Sequence, residues 1–220
     1  MLWSAWYPYV LPEAPGAPEP LLDHYIRQAA IDFFRESTLW TLDITPLNVV
    51  ASTGTYTMVV PDQTVSTGVT DTPDISIIKW AWVDGVQIYP TSQEELNALV
   101  EKWSTKTASR VSNYTQLTQT AITLFPTPDF ASTAGLTVKV AVQPSLTSLG
   151  VPDWLGSRYI DAISIGAKAR LLGMVGRPWS NPAGEAKYGA LYATLRTKST
   201  TEGNRSFTRS TQTVRFPRYG

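Results

Sequence analysis

The chain has no cysteine and only one histidine among its 220 residues. The first absence excludes disulfides, thiolate metal centres and cysteine nucleophiles, and the second leaves His24 without the partner that paired-histidine chemistry needs. Charge is scarce as well: Asp, Glu, Lys and Arg make up 16%, against about 25% in an average domain. No run approaches the roughly 18 consecutive apolar residues of a membrane span, so no membrane partner is expected. Met1-Leu2-Trp3 opens without a basic segment, and Pro8, Pro12, Pro15, Pro18 and Pro20 interrupt any apolar run, so no secretion signal is expected either. There is no Gly-rich phosphate loop, no G-x-S-x-G turn and no regular calcium loop. These gaps argue against most enzymes, and no cofactor or metal is expected.

What remains is rich in large apolar side chains. The hydrophobic share is 43%, with 8 Trp and 10 Tyr, enough to build a core and too much for a disordered chain. The net charge of zero conceals a segregation. Residues 1–100 hold 12 acids against 3 bases (Arg27, Arg35 and Lys79), a net of −9, and residues 101–220 hold 6 acids against 15 bases, a net of +9. Such a split points to complementary surfaces, either within the fold or between neighbouring copies. A nucleic-acid binder is more often basic overall.

Residues 1–20 are aromatic and then proline-rich, which predicts an extended arm with Trp3, Trp6, Tyr7 and Tyr9 lying against other parts of the molecule. Pro20 suits the first turn of a helix. From there Leu22, Tyr25, Ile26, Ala29, Ala30, Phe33 and Phe34 recur at helical spacing, predicting an amphipathic helix to about Leu39. Thr and Val then dominate in short alternating runs. Asp84-Gly85 marks a hairpin, because a type I′ turn needs positive φ at both positions. Residues 56–60, 121–125 and 136–142 read as further strands, and Ser92 with Glu95 makes a capping box for a short helix. After Pro144, Asp153 is placed to cap a helix to about Gly173, and Asn181-Pro182 begins another to about Thr197. Ala162, Gly166, Ala169 and Gly173 on the first, and Ala183, Ala186, Ala190 and Ala193 on the second, form small-residue stripes that predict an antiparallel helical hairpin with the two stripes facing.

The expected fold is α+β: a helical bundle of one N-terminal helix and a C-terminal helical hairpin, with a small antiparallel β domain inserted and extended termini. Its parts are an N-terminal arm (1–20), a discontinuous helical domain (21–44 and 150–199), a β-rich insertion (45–149) and a C-terminal arm (200–220).

Chemistry-bearing motifs are few. Ser76-Ile77-Ile78-Lys79 matches S-x-x-K, but that pattern needs a helix to bring Ser and Lys onto one face, and here it falls in a strand. Asp71 and Asp74 are turn-linked acids of the kind solvated loops carry. Trp80 and Trp82 share one strand face, as core residues or, in the alternative reading, as the stacking surface of a non-enzymatic ligand- or glycan-binding module.

Trp6-Tyr7-Pro8, residues 12–18, the helix around Ala29-Ala30-Ile31-Asp32-Phe33-Phe34 with Trp40 beyond it, Val151-Pro152-Asp153-Trp154-Leu155, residues 162–172 and Pro178-Trp179-Ser180-Asn181-Pro182 together resemble the head-to-tail connector (adaptor) proteins of tailed bacteriophages. The layout is similar to the tail tubular protein A type of T7-like podophages. The resemblance implies a structural virion protein at the head–tail junction: a homo-oligomeric, twelve-fold ring beneath the portal protein, extending the DNA channel toward the tail or nozzle protein, with genomic DNA passing through without sequence-specific binding. A closed ring needs heterologous contacts, which segregated charge suits. On this reading Arg205, Phe207, Arg209, Arg215, Phe216, Arg218 and Tyr219 form an arm that grips the portal, and Asp62, Asp71, Asp74 and Asp84 face the channel or the tail, where acids repel phosphate.

Overall fold

Trp3, Trp6 and Val10 fall three and four residues apart. In the computed structural model, which describes residues 1–204, that spacing forms helical turns in place of the extended arm: a 3₁₀ turn, Trp3–Trp6, and α1, Tyr7–Val10. Pro8 does not prevent this, because the first turn of a helix leaves its N–H groups unpaired in any case. One side of these turns is buried through Trp3, Trp6 and Val10, and the Trp3 indole donates to the Ser148 carbonyl at 2.7 Å. α2, Glu19–Ser37, starts with Pro20 in its first turn as expected and stops where Thr38 turns left-handed at φ 50°.

Three short strands follow: β1 (Thr41–Asp43), β2 (Leu47–Val49) and β3 (Thr55–Thr57). β4 (Gln63–Ser66) and β5 (Val69–Asp71) pair as a separate ribbon. β6 (Asp74–Val83) and β7 (Val86–Pro90) make the hairpin at Asp84-Gly85, whose φ values of 49° and 78° fit the type I′ requirement. Ser92 and Glu95 close the capping box of α3 (Gln93–Leu99). Then come β8 (Thr107–Ala108), β9 (Asn113–Thr118), β10 (Ala121–Phe125), β11 (Thr127–Pro128) and the long β12 (Ser132–Gln143). The remaining helices are α4 (Asp153–Arg158), α5 (Ile160–Leu172) and α6 (Pro182–Asn204). The single helix expected after Asp153 is split at Tyr159, whose φ of −114° and ψ of 21° leave the helical region, and Pro152, not Asp153, occupies the cap position. Asn181 does cap α6, its Oδ1 accepting from the Gly184 N–H at 3.0 Å.

The expectation of a helical bundle with a small β insertion is overturned. One curled, eight-stranded sheet dominates, ordered β1-β12-β6-β7-β9-β10-β3, with β2 beside β1 on the same edge of β12. Every pairing is antiparallel except β7 with β9. The sheet curls half-way round because β6 is bulged twice. Lys139 pairs with Trp80 and Val140 with Ile78, which leaves Lys79 extra; Ala141 pairs with Ile77 and Val142 with Ile75, which leaves Ser76 extra. Each bulge bends and twists its strand. The buried residues of β6, Ile75, Ile78, Ala81 and Val83, therefore fall three, three and two apart, a spacing that hides the strand period. β1, inside the stretch assigned to the helical part, joins this sheet, and one buried cluster runs from Phe33 and Phe34 on α2 through Val140 on β12 to Ile122 and Leu124 on β10.

The helices form a layer in which α2 packs on α5, α6 and β12. The stripe on α5 receives large side chains from α6: a Cβ on Gly166 would lie 2.6 Å from the Tyr192 ring, and one on Gly173 would lie 2.8 Å from the Glu185 carboxyl. The alanine stripe of α6 is not packed into it as expected: Ala186 and Ala190 share only an open groove with Ala169. Ala183, Ala186, Ala190 and Ala193 are all exposed, and only Tyr192, Ser199 and Gly203 of that helix are buried. The cause is simple: Tyr192 takes up the space that small α5 residues leave, which turns the alanines outward.

Candidate interaction surfaces

Part of the charge segregation is neutralised inside the subunit. Asp32 meets Arg170, Glu36 meets Arg196 at 2.7 Å, and Asp43 meets Lys139 at 3.2 Å, each pairing the acidic half with the basic half. Asp32 also holds Arg35 at 2.6 Å.

Of the four acids expected to share a surface, three are close and one is remote. Asp62 accepts from the Thr72 hydroxyl, and Asp71 accepts from the Leu149 N–H at 2.8 Å. Asp74, which opens β6, has its carboxyl pKa raised, first by burial and then by Asp71. Asp84 closes the same ten-residue strand at its far end, about 30 Å away at 3.3 Å per residue, and there accepts from the Ser132 hydroxyl. The seven residues expected to grip a portal, Arg205, Phe207, Arg209, Arg215, Phe216, Arg218 and Tyr219, lie outside the described residues.

Ser76 and Lys79 are the two bulged residues of β6. The Lys79 ammonium donates to the Thr38 hydroxyl at 2.9 Å, and burial lowers its pKa; Ser76 opens instead onto a groove between β6 and β9. Trp80 and Trp82 are half-buried on the outer face of the sheet. The register sets Trp80 opposite Lys139, and Gln87 in line with Trp82 and Thr137. Among the described residues no three His, Asp or Glu side chains converge to hold a metal, and no helix is long and apolar enough to cross a membrane.

Two surfaces are not foreseen by the sequence pattern. The first is the free side of α6. Along the Tyr188, Leu191 and Leu195 flank of α6 runs a groove of about 480 Å³ lined also by Tyr9, Ile165 and Lys168; on its other flank Ala186 and Ala190 border a groove of about 530 Å³ shared with Ala169 and Arg170 of α5. Tyr9 and Leu191 are exposed along the former, and the Lys168 and Lys187 ammonium groups lie 5.2 and 5.5 Å from the Tyr188 ring. Its only signal in the sequence is the number of small and apolar residues on α6, more than one buried face can use. The second is the groove between β6 and β9, which no local pattern announces, because it depends on where β7 stops.

No curated protein is matched by this sequence. The family model of the SU10 adaptor protein matches residues 6–215, nearly the whole chain, whereas the tail tubular protein A type is not the family found. The chain belongs to the SU10 adaptor protein family and is a structural adaptor protein of a bacteriophage.

Proposed function

We propose that the chain is one subunit of a twelve-fold ring that joins the portal vertex of a phage capsid to the tail and prolongs the channel through which the genome leaves. Membership of the adaptor family supports this reading, and one structural observation carries it: α6 runs for 23 residues with only three of them buried. A helix gains most of its stability from a packed apolar face. One that turns Ala183, Ala186, Ala190, Ala193 and Leu191 outward is finished by a neighbour. In a ring that neighbour meets α6 with a different part of its own surface, since closed rings are built from heterologous contacts. The acids around β4 and β5 and the lysines along α5 and α6 supply the unlike charges that fix such a register. Electron micrographs of the purified chain, with and without the portal protein of the same phage, test the reading: a ring seated on the portal is expected, and monomers beside bare portals would refute it.

One observation favours a second reading, a non-enzymatic ligand- or glycan-binding module. Trp80, paired with Lys139, and Trp82 are half-buried on the outer sheet face, where aromatic rings and a cation can stack on a sugar. Binding of a glycan that is lost with Trp80→Ala, by a chain that forms no ring, would favour it.

A further inference from the structure

β7 separates β6 from β9 but accompanies them only briefly. It pairs with β6 at Ala81–Val83 and with β9 through Tyr89 and Pro90, the last bond running from the Thr91 N–H to the Tyr114 carbonyl at 2.9 Å. Pro90 brings no N–H to its β6 side, and Ser92 diverts the chain into α3. Where β7 lies between them, β6 and β9 stand two inter-strand spacings of about 4.8 Å each apart; beyond its end they line one groove, and the same spacing there leaves room for one strand.

The walls of this slot are unfinished. It forms a groove of about 390 Å³ lined by Arg35, Ile75, Ser76, Gln116, Leu117 and Gln143. The described strands pair the first seven residues of β6 on the β12 side only, so the backbone groups on the slot side form a strand edge, which is a template for a further strand. Leu117 on the β9 wall is 49% exposed, as is Ile77, which follows the wall residue Ser76 on β6. Gln143 Oε1 is buried without a hydrogen-bond donor among the described residues. At the far end the Gln119 amide reaches across to the Ile75 carbonyl at 2.9 Å, bridging the walls.

α6 delivers the rest of the chain to this place. Its end is pressed against the end of α2: a Cβ on Gly203 would collide with the Ser37 carbonyl oxygen, and the Thr200 hydroxyl donates to the Glu36 carbonyl at 3.2 Å. Arg35, on the same last turn of α2, already lines the slot, and Thr38 holds Lys79 of β6. Sixteen residues follow Asn204. The first six, 205–210, span up to about 20 Å when extended. The next six, Thr211-Gln212-Thr213-Val214-Arg215-Phe216, are rich in residues that favour strands. In an extended strand of this sequence Gln212, Val214 and Phe216 would share one face and Thr211, Thr213 and Arg215 the other, and Pro217 is a residue at which strands end.

We propose that residues 211–216 fill the slot between β6 and β9 of their own subunit as an added strand. Val214 and Phe216 then cover Ile77 and Leu117, and Arg215, the segment's one arginine, meets Asp71 and Asp74 at the slot's end. This places the segment inside the subunit, not in a portal, and is independent of whether the chain assembles into a ring.

Because the chain has no cysteine, cross-linking is clean. Full-length Ser76→Cys is combined in turn with Thr213→Cys, Val214→Cys and Arg215→Cys, oxidised, and examined by non-reducing electrophoresis and peptide mass. A disulfide within single chains in at least one pair is expected. A ladder of covalent dimers, the result if a second copy supplies the strand, overturns the same-chain assignment, and no cross-link in any pair overturns the proposal. A second measurement leaves β6 unchanged: full-length Val214→Pro should speed amide hydrogen exchange over residues 75–80 by at least tenfold, and unchanged exchange would contradict the added strand.

Discussion

Tyr192 reaches across the helix layer to donate its hydroxyl hydrogen to the Ala29 carbonyl at 2.7 Å. Its ring is buried beside two guanidinium groups, Arg170 at 5.3 Å and Arg196 at 5.6 Å from the centroid, and lies close against Gly166. One side chain thus ties α6 to α2 and sets the distance to α5. Because the ring is held at both ends, it cannot yield to a methyl group 2.6 Å away. Gly166→Ala should therefore destabilise the fold by about 1–3 kcal/mol, even though alanine is the better helix former, as read from the urea midpoint.

Burial, the largest cause, raises the Tyr192 and Tyr159 pKa values from 10 to about 12. The folded state holds these protons more tightly than the unfolded chain does. Their contribution is therefore intact below pH 10 and disappears as pH rises from 10 to 12. Stability measured through that window should fall, and Tyr192→Phe, which has no proton to lose, should remove about 2 kcal/mol of the fall at 1.36 kcal/mol per unit.

Asp32 bonds Arg35 on its own helix and Arg170 on α5. The Arg170 contact is three-quarters buried on both sides, whereas Arg35 is half exposed. Asp32→Asn should cost about 1–3 kcal/mol by leaving Arg170 without its counter-charge, and Arg35→Ala should cost less than about 1 kcal/mol. Equal losses in the two unfolding curves would contradict this ordering.

Gly85 sits at φ 78°, and a methyl group added to its Cα would meet nothing within 4 Å. Gly85→Ala therefore isolates the backbone cost of a left-handed turn residue. A loss of about 1 kcal/mol is expected from thermal or urea unfolding; no loss would mean that the turn relaxes.

Features written in a few adjacent residues were legible in the sequence. Asp84-Gly85, Ser92 with Glu95, and Asn181-Pro182 each specify a turn or a cap by their own chemistry, and α2 shows its period over five turns. The large sheet was not legible. β1, β2 and β3 are three residues each, too short to show a period, and the bulges at Ser76 and Lys79 break the alternation of the strand on which the sheet bends. The outward direction of the α6 stripe was hidden because Ala183 to Ala193 are equally suited to meeting another helix inside the subunit or beyond it; the bulk of Tyr192 decides between them. Of the acids, Asp71 and Asp74 are neighbours in sequence and space, while Asp84 is carried away by the length of β6.

The proposed ring rests on the free face of α6, so the most direct measurement counts chains there. Native mass spectrometry of the full-length protein mixed with its portal should show twelve chains of 24.2 kDa per portal, and Ala190→Arg, on the exposed face, should abolish that assembly with no change in the unfolding midpoint of the isolated chain. An unchanged portal mass with the native sequence, or full assembly of Ala190→Arg, would contradict the ring.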